Sequence, residues 1–97
     1  MNYGKATKKP ITIHFYKWDG DINSLEDWIK SLVSSHVEDL FEVSESGLKV
    51  KTLEGTSYDV PHDYIIIKGV KDEFYPCDPI IFNETYDVLT LHTENKV

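Results

Sequence analysis

Residues 63–77 read DYIIIKGVKDEFYPC, and this stretch decides the fold. Ile65, Ile66 and Ile67 are contiguous, where a half-buried strand would alternate apolar with polar. A short unbroken apolar run bounded by turn residues predicts a strand from Tyr64 to Ile67 that is covered on both faces. Lys68 to Lys71 then turns the chain, with Gly69 as the expected positive-φ residue. Glu73 to Cys77 returns, which makes the whole stretch a buried hairpin with Ile65, Ile67, Phe74 and Cys77 in the core. Phe74 and Tyr75 are neighbours on one strand and so point to opposite faces. Only one of the two is expected in the core.

Working towards the N-terminus, Pro61-His62-Asp63 reads as a loop. Before it, Gly47 to Leu53 and Thr56 to Val60 flank Glu54-Gly55, which predicts a tight hairpin. Leu48, Val50 and Thr52 share one face of its first strand. A further strand starts at Phe41 to Val43. Residues 23–40 carry the clearest helical pattern: Leu25, Trp28, Ile29, Leu32, Val33, His36, Val37 and Leu40 recur at spacings of three and four. Ser24 with Asp27, or Asn23 with Glu26, offers the N-terminal cap. Ser34-Ser35-His36 is a weak helix-forming stretch at which the helix could end. Pro10 opens ITIHFYKW, a half-buried strand by its alternation, closed by Asp19-Gly20. Beyond the opening stretch, Asp78-Pro79 is an N-cap followed by proline at the first helical position, predicting one helical turn through Asn83. Thr85 to Leu91 reads as a last strand.

The predicted fold class is therefore α+β. A curled antiparallel sheet of about five or six strands, or a small partly open barrel, is packed by one amphipathic helix, with a short C-terminal helical turn. The 97 residues suffice for one domain. Residues 1–9 read as a flexible basic arm, 10–92 as the single α+β domain and 93–97 as a polar tail.

Composition narrows the function. Ten lysines and no arginine stand against seventeen acids, a net charge of −7. Lys5, Lys8 and Lys9 lie in the arm, so the remainder has seven lysines against seventeen acids, or −10. Such a body repels phosphate, and it lacks the usual bidentate reader of phosphate and guanine. Direct nucleic-acid binding is not expected. No apolar run approaches the roughly 20 residues of a membrane span, and the N-terminus has no apolar core of a signal peptide. A single cysteine suits a reducing compartment. A cytoplasmic protein with no membrane partner is expected.

No motif carries chemistry. His14, His36, His62 and His92 are far apart in sequence, and no metal-ligand spacing occurs. No cofactor is expected. Cys77 is flanked by Asp72, Glu73 and Asp78, which oppose a thiolate, so a structural thiol is favoured over a nucleophile. His62-Asp63 could supply a base, but nothing in the spacing brings it to Cys77. The sharper candidates are binding residues. Asp19, Asp21, Glu26 and Asp27 could converge as an acidic ridge, joined by Asp72 and Glu73, with Trp18 and Tyr75 as aromatic anchors. A ridge of this kind could occupy a positive groove in place of phosphates.

The opening stretch also carries a resemblance. Asp63-Tyr64-Ile65-Ile66, Lys68-Gly69-Val70-Lys71, Glu73-Phe74-Tyr75-Pro76-Cys77, Pro79, Ile81-Phe82 and Thr85-Tyr86 resemble a family of small bacteriophage and prophage proteins of unassigned function. Its members end in a phrase like GDYIIKGVKGEFYPCKPDIFEKTYE. Lys9-Pro10-Ile11 through Trp18 is similar to the same family's opening. Roughly half the chain is covered, and the C-terminal motif is the specific part. His62 stands where the family has glycine after proline, Asp72 where it has a turn glycine, and Asp78 where it has lysine. The resemblance implies an accessory protein of host-cell cytoplasm that is not an enzyme. It would bind a host protein, in the manner of an anti-CRISPR-like inhibitor of a basic nucleic-acid-binding defence enzyme, as monomer or small homo-oligomer. The alternatives are a small-molecule or nucleotide binder, for which Cys77, His62 and Asp63 are the candidates, and a phage assembly subunit.

Overall fold

A computed structural model describes residues 2–7, 9–52 and 54–89. The element order is β1 (His14–Lys17), α1 (Ile22–Leu32), α2 (Val37–Leu40), β2 (Phe41–Ser44), β3 (Gly47–Lys51), β4 (Ser57–Val60), β5 (Ile65–Lys68), β6 (Phe74–Cys77) and α3 (Pro79–Thr85). The fold is α+β. The strands form two three-stranded antiparallel sheets, ordered β1-β5-β6 and β2-β3-β4, in place of one curled sheet or barrel. The two meet where β6 lies against β3 and β4.

The isoleucine run is the centre of the molecule. Ile66 is fully buried on the face that joins Trp18, Leu25, Ile29, Phe41, Val50 and Phe74. Ile65 and Ile67 point the other way, into a second cluster with Phe82. A middle strand between two covered faces has no polar side, and the sequence shows none. The second cluster also takes Tyr75, so Phe74 and Tyr75 both pack, on opposite faces. Only Phe74 is a buried core residue, as expected; Tyr75 is half-buried, because α3 covers the face that α1 leaves open. β1 follows the same rule: Ile13 and Phe15 join the second cluster, Tyr16 and Trp18 the first.

Several elements differ from their expected bounds. β1 pairs only from His14, because His14 is opposite Lys68 and β5 ends there. The helix of 23–40 divides in two. Val33 leaves the helix with extended backbone while its N–H still bonds Ile29 O, at 2.9 Å. Ser34 and Ser35 cannot sustain the helix, and α2 restarts after His36. The N-terminal cap of α1 is Asp21, not Asn23 or Ser24. The Asp21 carboxylate accepts the N–H groups of Asn23 and Ser24 and the Ser24 hydroxyl, the last at 2.9 Å.

The Asp78 carboxylate caps α3 as expected, accepting from Ile80 N at 2.8 Å, but the helix runs to Thr85. The expected strand at Thr85–Leu91 is absent as far as Leu89, and residues 90–97, with the proposed tail, lie outside the described residues.

Two turns also differ. Gly69 is not the left-handed residue; Asp72 is, at φ +61°, the position where the resembled family has glycine. A Cβ at Gly69 would overlap the Glu73 carboxylate and displace that side chain. That carboxylate accepts the Lys71 N–H at 2.8 Å. In the preceding loop the left-handed residue is Asp63 (φ +71°), not His62. Tyr64 N–H closes a turn on Pro61 O, while Trp18 O accepts from Asp63 N and Trp18 N donates to Tyr64 O. Two residues thus oppose one, a bulge of the kind that places its first residue in the left-handed region.

Candidate binding groove along the free edge of β1

β5 and β6 occupy one side of β1, and among the described residues no strand occupies the other. The bulge fixes which backbone groups face outward. Trp18 N–H points to Tyr64 O. By antiparallel alternation Tyr16 and His14 also face β5, so Phe15 and Lys17 turn their N–H and C=O groups to the free side.

That side is the floor of an open groove of about 1170 Å³. One wall is α1, with Ser24, Asp27 and Trp28. The other is α3 and the segment after it, with Phe82, Tyr86, Val88 and Leu89. Aromatic contacts set both walls. Trp28 packs on Tyr16 with centroids 5.4 Å apart, and Phe82 on Phe15 at 4.9 Å. Tyr86 stacks on Phe82 at 5.2 Å. The rim is apolar and exposed: Ile11 is 46% exposed, Val88 49% and Leu89 75%.

The acidic residues divide by what their carboxylates touch. Asp19 and Asp27 are exposed and line the groove. Asp19 also accepts the Asp21 N–H at 3.0 Å. Asp21 is the helix cap. Glu26 is turned to its own backbone and neighbours: Val37 N–H at 2.6 Å, His36 Nδ1 at 3.0 Å and Lys30 Nζ at 3.4 Å. These contacts, His36 first, hold its pKa below the ordinary carboxylate range. Glu26 clasps α1 to α2; His36, which the helical stripe placed with the apolar residues, is exposed on this clasp. Asp72 and Glu73 sit in the β5–β6 turn. That turn follows Lys68, opposite His14, whereas Asp19 follows Lys17, so the two acidic groups lie at opposite ends of β1. Asp72 pairs with Lys68 at 2.9 Å. Four strand residues at ~3.4 Å each separate the two groups by more than ~10 Å. The six acids do not form one ridge.

Of the aromatic anchors, Trp18 is buried (8% exposed) in the first core and presents no free surface. Tyr75 is half-buried against Tyr86. Burial, with the Tyr86 hydroxyl as hydrogen-bond partner, pushes its pKa up to about 12. The signal that placed Trp18 was available: it shares the face of Tyr16, two residues away. Sequence reading did not locate Trp28, Phe82, Tyr86, Val88 and Leu89 at the site, because the groove walls come from segments distant in sequence.

Cys77 is partly buried, and its thiol donates to Asp78 O at 3.5 Å. Burial, then the Asp78 charge, pushes the thiol up. Among the described residues no hydrogen bond joins it to His62, whose ring lies by Asp63 at 3.3 Å on the surface. No cluster of metal-ligating side chains occurs among the described residues, and no helix there is long and apolar enough to cross a membrane.

Comparison with known protein families, curated proteins and solved structures finds no match for this chain.

Proposed function

We propose that this chain is a non-enzymatic accessory protein of the phage type that docks stoichiometrically on a host protein in the cytoplasm. An enzyme that binds nucleic acid, and so carries a basic surface, is the partner class that its charge of −7 complements. The observation that carries the reading is the groove beside β1, where an exposed apolar rim lies next to the exposed acidic side chains of Asp27 and Asp19. Exposed apolar residues beside a polar rim are the composition of a protein-docking surface. The groove, about 1170 Å³, is larger than the roughly 300–1,000 Å³ of small-molecule sites, which favours a macromolecular partner over a nucleotide.

The test is a pulldown from host lysate with the wild type and with Asp19→Lys/Asp27→Lys as baits, at low and high salt. One stoichiometric protein is expected on the wild type at low salt, lost at high salt and lost by the double variant. Equal capture by both baits would place docking elsewhere and refute the assignment to this groove.

A further inference from the structure

We propose that the groove takes its partner by strand addition: an extended segment of the bound protein pairs with the free edge of β1. This rests on the docking function just described and specifies its mode. Three observations carry it. The outward N–H and C=O groups of Phe15 and Lys17 have no backbone partner among the described residues, the condition under which an extended segment gains main-chain hydrogen bonds. The other edge of this sheet, β6, carries Pro76 and lies against the second sheet. And residues of α1 on one side, and of α3 and the segment after it on the other, line the groove that the β1 edge shares.

The occupant's chemistry follows from the walls. Alternate side chains of an added strand point to opposite faces. Those facing α3 meet Phe82, Val88 and Leu89 and should be apolar. At the end of β1 where Asp19 and Asp27 stand, a Lys or Arg is complementary. Lys17 on the edge is the ordinary guard against indiscriminate pairing, so the walls and the acidic end select what the edge accepts. A second copy of this chain fits less well, because it would have to pass its own walls and adds −7 to −7.

Lys17→Pro is the edge-blocking variant. Its N–H faces outward, so proline removes a donor for the added strand without removing a β5 hydrogen bond, the one strand context that tolerates proline. A displayed library of short, linear, random peptides is selected on immobilised protein, and amide hydrogen exchange is read on the winners. The expected winners alternate apolar residues, carry Lys or Arg at one end, slow exchange at Phe15 and Lys17, and bind Lys17→Pro about tenfold or more weakly. Asp19→Lys/Asp27→Lys, used once its unfolding midpoint is shown to match the wild type, should switch that end to Asp or Glu. No enrichment, winners that leave Phe15 and Lys17 unprotected, or equal binding to folded Lys17→Pro would each overturn strand addition. So would a concentration-dependent dimer that Lys17→Pro dissociates, which would assign the edge to a second copy. A host protein captured equally by wild type and Lys17→Pro would leave the docking function standing and remove only the mode.

Discussion

Phe82→Ala tests how the second face of the central sheet is held. Phe82 is the one buried residue of α3, 3% exposed, and it meets Phe15, Tyr86, Ile65 and Ile67. A seven-residue helix has no stability of its own in water, so α3 stays on the sheet by this contact and by the Asp78 cap. Truncating a buried phenylalanine costs ~3–5 kcal/mol. The lower end applies here, about 3 kcal/mol, because α3 lies at the surface and can settle into part of the space. A domain of this length has a total stability of about 5–15 kcal/mol, so the loss is large but survivable. It corresponds to a fall in Tm of roughly 12–24 °C. Trp18 and Trp28 both lie on the opposite core, which makes tryptophan fluorescence in urea a readout of the whole fold, while exchange at the α3 amides reads the local face. A midpoint shift equivalent to under ~1 kcal/mol, with α3 amides protected as in the wild type, would refute the claim that Phe82 anchors this face.

Three further outcomes are expected. Asp63→Gly, at a left-handed position, should raise stability by up to ~1 kcal/mol in urea titration, and Asp63→Val should lower it by ~1–2 kcal/mol; the reverse order would contradict the bulge geometry. Glu26 has its pKa lowered, so its contribution is present above the ordinary glutamate range and is lost as pH falls through and below that range; Glu26→Gln should flatten acid denaturation there, and unchanged acid sensitivity would show that the clasp between α1 and α2 contributes nothing. Cys77, raised by burial and by Asp78, should react with a thiol reagent at neutral pH much more slowly than the same chain in denaturant; equal rates would mean that the thiol is open.

The fold was legible where side-chain period and burial agree. Ile65-Ile66-Ile67 announced a strand covered on both sides, and Leu48 with Val50 marked the inner face of β3. It was less legible where local propensity competes with tertiary context. The stripe from Leu25 to Leu40 reads as one helix, but only the Ser34-Ser35 break and the Glu26 clasp separate it into two. Asp21 outcompeted Ser24 as cap, because its carboxylate reaches two N–H groups and the Ser24 hydroxyl together. Acidity itself was legible, but its use was not. Composition counts carboxylates alike, whereas Asp21, Glu26 and Glu73 are bound to backbone N–H groups and Asp27 stands at the groove. The apolar rim at Val88 and Leu89 lay inside a segment whose alternation resembles a strand, and α3 took its first residue, Thr85, as a helix end.

The central claim is that partner docking occurs in the groove along β1. A photo-crosslinking amino acid placed at exposed Leu89, on the groove wall, is compared in host cells with the same group at exposed Tyr58 on β4, away from it. The account expects one discrete adduct from Leu89 and none from Tyr58. An adduct from Tyr58 alone would contradict it.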